Sequence, residues 1–176
     1  MPQPGKQWYH VIFNTKGSWL HGDPRGFRSR DHRIHSSGDY KKPPPPGEHA
    51  GLHKYHKRRS SGEVRLAAEH HPLIGARCLY FLKSRQHTLL AAAVGDTHVH
   101  MLAELTEVYD DAKALIGQLK NIVSYEVRDV LPGSIWSSGC TLKLIKDREH
   151  HENAFIYISS KQEDGAWTWT FRDGTG

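Results

Sequence analysis

The stretch HTLLAAAVGDTHVHMLAEL, residues 87–105, decides how this chain is read. His87 to Val94 is a continuous apolar run of strand length, and Gly95-Asp96 is a turn dipeptide placed as in a hairpin, though in the less usual order. Beyond it, Thr97 to Leu105 sets His98 and His100 in alternation with Val99 and Met101, the pattern of a half-buried strand. Two strands joined by a tight turn therefore form the centre of the fold.

Upstream, Pro72 to Ser84 carries Leu73, Ile74, Ala76, Leu79, Tyr80 and Leu82, a helical spacing with Pro in the first turn. Earlier still, Trp8 to Thr15 is aromatic and β-branched, a first strand closed by Gly17. Downstream, Glu107 to Val130 reads as the clearest helix, with acids in its first turn where the dipole favours them, and Pro132-Gly133 stops it. Cys140 to Asp147 alternates as a fourth strand. Glu149 to Glu163 reads as a final helix, and an aromatic tail of Trp167, Trp169 and Phe171 follows. Without the segment after the first strand and the last helix, the order is β-α-β-β-α-β. The expected class is therefore α+β, a ferredoxin-like sandwich with an extra C-terminal helix. That order hosts many functions, so function has to be read from a site.

The 176 residues suit one domain, 1–176, with residues 18–62 as a long basic insertion. Across Ser18 to Gly62 the apolar periodicity disappears, and Gly, Pro, His and Arg dominate, including a tetraproline at 43–46. A stretch like this inside a compact domain points to a functional or partly disordered insertion. Lys16 to Gly62 holds eleven basic and four acidic residues, a net +7, which leaves −2 for the rest of a chain of net +5. A basic block on a near-neutral body points to a polyanion, with a solvated loop as the plain alternative. The candidate nucleic-acid contacts are Arg25, Arg28, Arg30, Arg33, Lys41, Lys42, Lys54, Lys57, Arg58 and Arg59, with Phe27, Tyr40 and Tyr55 among them to stack on bases. His32-x-x-His35 and His53-x-x-His56 mimic metal spacing, but without nearby cysteines they are weak candidates for zinc. No apolar run reaches membrane-span length, and the N-terminus lacks an apolar signal core. Residence in the cytoplasm is expected, with Cys78 and Cys140 reduced.

In a strand, residues two apart share a face, so His98 and His100 can converge on one ion while Val99 anchors in the core. Alone the triplet decides little. With 14 histidines in 176 residues, about one His-x-His arises by chance. Tyr157 lies on the polar face of the last helix with Asn153, Ser160 and Lys161, where it either meets a substrate or is an ordinary boundary tyrosine.

Together, the β-α-β-β-α-β order, the Gly95 to Leu102 block and Tyr157 on a later helix resemble the single-tyrosine HUH transposases. The branch of REP-associated tyrosine transposases looks nearest. The matching segments are Tyr9 to Phe13, Gly95 to Leu102, Ile116 to Lys120, Ile135-Trp136 and Phe155 to Ile158, and the resemblance spans about residues 7–15 and 72–170. It implies an enzyme that cuts and rejoins single-stranded DNA, with a hairpin in its substrate, acting as a homodimer. His98 and His100 would hold Mg²⁺ or Mn²⁺ against the scissile phosphate, and Tyr157 would attack to give a 5′-phosphotyrosine. A phenol is mostly protonated at neutral pH, and Lys161, one turn on, is the expected cation to ease its ionisation. Lys161 is also the main departure from the family, whose third metal ligand, often Gln, stands at that place. An ammonium cannot ligate, and Gln162 is the candidate replacement. Two alternatives stay open: a domesticated descendant that binds DNA hairpins without cutting them, and a ferredoxin-like RNA-binding module. The latter calls for aromatics on central strands, where Thr97 to Leu105 has histidines instead.

Overall fold

The computed structural model describes residues 2–26, 35–37 and 44–174. The chain divides into two compact units, one formed by Met1–Thr15 with Arg65–Gly176 and the other by Lys16–Val64.

The larger unit is α+β. Its strands are β1 (Lys6–Asn14), β2 (Thr88–Val94), β3 (His98–Thr106), β4 (Thr141–Leu144) and β5 (Trp167–Thr170). Among the described residues the α-helices are α1 (Ala50–Arg59, in the smaller unit), α2 (His71–Ser84), α3 (Tyr109–Glu126) and α4 (Arg148–Ser160). The sheet runs β4-β1-β3-β2-β5, and every pairing is antiparallel. Among the described residues no helix is long and apolar enough to cross a membrane.

Alternation along the strands gives the sheet two distinct faces. Tyr9, Val11 and Phe13 lie in register with Ala103, Met101 and Val99 and turn to one side, all of them buried. The helices α2 and α3 cover that side with Ile74, Cys78, Phe81, Leu82, Ile116, Leu119 and Val123. Lys120 of α3 reaches from this layer to the carbonyls of Ser137 and Gly139, 2.6 Å each, and its own carbonyl accepts the Trp136 indole N–H at 3.1 Å. These bonds hold the approach to β4. The opposite face carries Ala91, Ala93 and Leu102, and α4 seats Ala154 and Ile158 on them.

The aromatic tail is the fifth strand. Trp167 and Trp169 lie opposite Val94 and Ala92, hence on the α2 side of the sheet. Only a glycine permits this, because a Cβ at Gly75 would overlap the Trp167 ring. Gly75→Ala is therefore expected to cost about 1–3 kcal/mol of stability, measured as a shift in denaturant midpoint. The cost should shrink when Trp167→Ala is already present, since the two changes share one space.

The smaller unit contains a regular element that the sequence pattern does not announce. Helix α1 lies within it although none of its residues is buried, so no apolar stripe announces it. Its last turn holds Lys57, Arg58 and Arg59, cations at the helix end that the dipole favours. Gly22, at φ +82°, lies so close to α1 that a Cβ there would come within 2.6 Å of the His53 backbone nitrogen.

Candidate active site

The β2–β3 turn is pinned from several directions. Gly95 N–H donates to the His98 carbonyl at 2.9 Å, Leu66 N–H to the Asp96 carbonyl at 2.7 Å, and Thr15 N–H to the Thr97 carbonyl at 2.8 Å. The Asp96 carboxylate pairs with Arg65 at 2.7 Å. This fixes the start of β3, and with it His98 and His100 on the α4 face. The two rings stand edge to face with centroids 4.8 Å apart.

A third imidazole joins them. His10 of β1 shares their face, and its Nε2 lies 2.9 Å from His100 Nδ1. Sequence reasoning passed over His10. Its even position in β1, opposite in sense to Tyr9, Val11 and Phe13, puts it on the α4 face, but only the β1–β3 register brings it to His100. Burial pushes His10 down to about 4, helped by the charges of Lys143 and His150. Burial likewise pushes His100 down to about 3, with contributions from His10, His98 and Lys143. Both rings are therefore neutral near pH 7.

Helix α4 presents the phenol to this cluster. Asp147 caps it by accepting His150 N–H at 2.7 Å, and Ala154 and Ile158 set its rotation on the sheet. Tyr157 then lies beside His100, centroids 5.4 Å apart and edge to face, and beside His10 at 5.9 Å. The residue remains 43% exposed. Tyr157 and the His98–His100 pair lie side by side within one chain.

The residues after Tyr157 differ from the helical expectation. Helix α4 ends at Ser160, whose hydroxyl, like that of Ser159, bonds back to a carbonyl of the preceding turn. Lys161 is the C-cap, its backbone N–H donating to the Tyr157 carbonyl at 3.1 Å. Gln162 is off the helix, so helical spacing does not set its direction. Its amide donates to the Tyr157 carbonyl at 2.7 Å. Glu163, which sequence reasoning did not single out, reaches the β2–β3 turn that precedes His98. Its Oε1 accepts Asp96 N–H at 2.8 Å and occupies the space where a Gly95 Cβ would be, itself 3.5 Å from His98 Cε1. Among the described residues no three His, Cys, Asp or Glu side chains form a ready-made ion site.

A cation of β4 stands at the cluster. Lys143 is in register with His10 and so shares its face, and its charge reaches both His10 and His100.

The basic residues separate into three groups. Arg25 is committed internally, since its guanidinium binds the buried Asp23 carboxylate at 2.6 Å and lies 4.3 Å over the Trp19 ring. Lys54, Lys57, Arg58 and Arg59 are exposed on α1, the first three at spacings that share one face. Arg28, Arg30, Arg33, Lys41 and Lys42 lie outside the described residues. Compared with known proteins, the chain matches no family model and no curated sequence.

Proposed function

We propose that this chain is a single-tyrosine HUH-type enzyme that cuts and rejoins single-stranded DNA through Tyr157. The observation that carries the reading is the juxtaposition of an exposed phenol with paired strand imidazoles on one sheet face. The strand order β4-β1-β3-β2, antiparallel throughout, supports the ferredoxin-like reading, with α4 as the added tyrosine helix.

The donor set fits a divalent cation. Neutral imidazole is the ligating form, and burial holds His100 in it. His98 and His100 would hold Mg²⁺ or Mn²⁺, and the side-chain oxygen of Gln162 is the candidate third donor, since only its amide nitrogen serves the helix end. Such an ion polarises a non-bridging phosphate oxygen when bound. The chain's own residues do the rest. Lys143 provides positive charge beside the phosphate site. Tyr157 Oη gives up its proton and forms the new ester to phosphorus, the bond to the 3′ oxygen breaks and that oxygen leaves as a protonated 3′-hydroxyl, and the phosphotyrosine keeps the ester for rejoining. The exposed Lys54, Lys57 and Arg58 stripe on α1 suits a phosphate backbone, and binding through it weakens as salt rises.

A second reading, a descendant that binds DNA hairpins without cutting, is favoured by Lys161 at the third-ligand place. Labelled single-stranded hairpin oligonucleotides incubated with Mn²⁺ and run on a denaturing gel decide between them. The expected result is a covalent protein–DNA band that needs Mn²⁺ and vanishes in His98→Ala. No covalent band together with a tight native gel shift supports the binding descendant. Neither a band nor a shift across a broad oligonucleotide set overturns the DNA reading.

A further inference from the structure

His10 takes no part in the mechanism above, yet it makes the closest polar approach to the proposed ligand pair. Its ring is 8% exposed and that of His100 is 6% exposed, and Nε2 of the first lies 2.9 Å from Nδ1 of the second. A neutral imidazole carries one N–H and one lone pair. The short separation between two neutral rings therefore holds a single proton, and its owner decides what His100 can do. If His100 donates from Nδ1, its Nε2 keeps a lone pair. If His10 donates from Nε2, the His100 proton must sit on its own Nε2, and that nitrogen cannot ligate.

We propose that His10 is a positioning residue that accepts the Nδ1–H of His100 and so commits His100 to the tautomer whose Nε2 is free to bind a cation. The proposal rests on the metal-dependent reading above. Several features of the site favour it. Ligating histidines generally donate their second ring nitrogen to a partner that fixes ring orientation, and at His100 Nδ1 the described partner is His10 Nε2. His10 stands in that partner's place. It is held by β1 pairing on both sides, with β3 at Leu102 and β4 at Lys143. With both of its neighbours in the sheet, β1 gives His10 a fixed backbone from which to aim Nε2. The same arrangement keeps His10 from ligating through Nε2, since that nitrogen is taken.

Long-range ¹⁵N–¹H correlation spectra of the metal-free protein read the tautomer directly. His100 is expected to be protonated at Nδ1 and bare at Nε2, and the opposite assignment overturns the proposal. Binding of Mn²⁺ alone, followed by titration calorimetry or by loss of the free-ion electron-spin signal, gives a second readout. His10→Leu removes the acceptor and should weaken Mn²⁺ binding by about 10–100-fold. His10→Gln places an amide oxygen near the former Nε2 and should recover most of that loss. Mn²⁺ binding unchanged in His10→Leu, or no better in a folded His10→Gln, also overturns it. If the wild-type protein binds no Mn²⁺ yet shows the expected His100 tautomer, the metal reading fails while the hydrogen-bond assignment stands.

Discussion

Tyr157→Phe is expected to abolish the covalent protein–DNA adduct completely while leaving the fold and noncovalent DNA binding near wild-type values. The substitution deletes one oxygen from a ring that is 43% exposed, so its effect on stability should stay within about 0.5 kcal/mol. The ring itself remains to lie against His10 and His100, so the imidazole cluster keeps its neighbour. Only the nucleophile disappears. A partial loss would mean that another hydroxyl can attack, and the structure limits the candidates. Among the described tyrosines, Tyr55 is exposed on α1 of the smaller unit, and Tyr80, Tyr109 and Tyr125 are exposed on α2 and α3, which cover the other face of the sheet. Tyr9 is buried on that same side. Adduct surviving in Tyr157→Phe would therefore remove the α4 face as the site of chemistry. Adduct lost together with noncovalent hairpin binding would instead assign Tyr157 to DNA recognition.

What could be read from the sequence follows from which residues bury an apolar face. The hairpin of β2 and β3 and the helix α3 announce themselves by period, because Val99, Met101, Ile116, Leu119 and Val123 are fully buried. The helix α1 has no buried residue, so its sequence shows basic residues and no stripe. The strand β5 has four residues, too few for alternation to show, and it is a strand only because β2 offers an open edge. The end of α4 was misjudged for a local reason. The Ser159 and Ser160 hydroxyls and the Gln162 amide satisfy the carbonyls of its last turns, and a pattern of apolar residues carries no trace of that competition.

The candidate site divides the same way. His98 and His100 are two apart on one strand, and their common face follows from strand geometry alone. Tyr157 could be placed on the polar side of its helix, though which side faces the histidines depends on Ala154 and Ile158 meeting Ala91, Ala93 and Leu102. His10, Lys143 and Glu163 lie some 90, 40 and 60 residues from the His98–His100 pair in sequence, and pairing register or a turn's backbone brings each of them in. Long-range register is the information that composition and period lack.

Lowering the pH from 7 to 5 is expected to cost this protein several kcal/mol of folding stability, with His10 and His100 as the main cause. Burial holds the folded-state values at about 4 and about 3, against 6.5 for the free side chain. Between those limits the unfolded chain binds protons that the folded chain refuses, so stability rises with pH across the window. It is complete above about pH 6.5 and declines steadily as pH falls toward the folded values. At pH 5 each ring accounts for about 2 kcal/mol, a large share of an ordinary domain's total. His87 and His151 are also lowered, chiefly by burial, and act in the same direction. Ordinary carboxylates scarcely titrate in this range, which is why pH 5 is the better lower limit. Denaturant unfolding at the two pH values measures the difference. In the double variant His10→Gln/His100→Gln the loss should shrink to what the remaining histidines contribute. A double variant with the same pH slope as wild type would show that the pair is accessible to protons in the folded state. That outcome would also deny His100 the dry, neutral setting from which a ligating imidazole draws its strength.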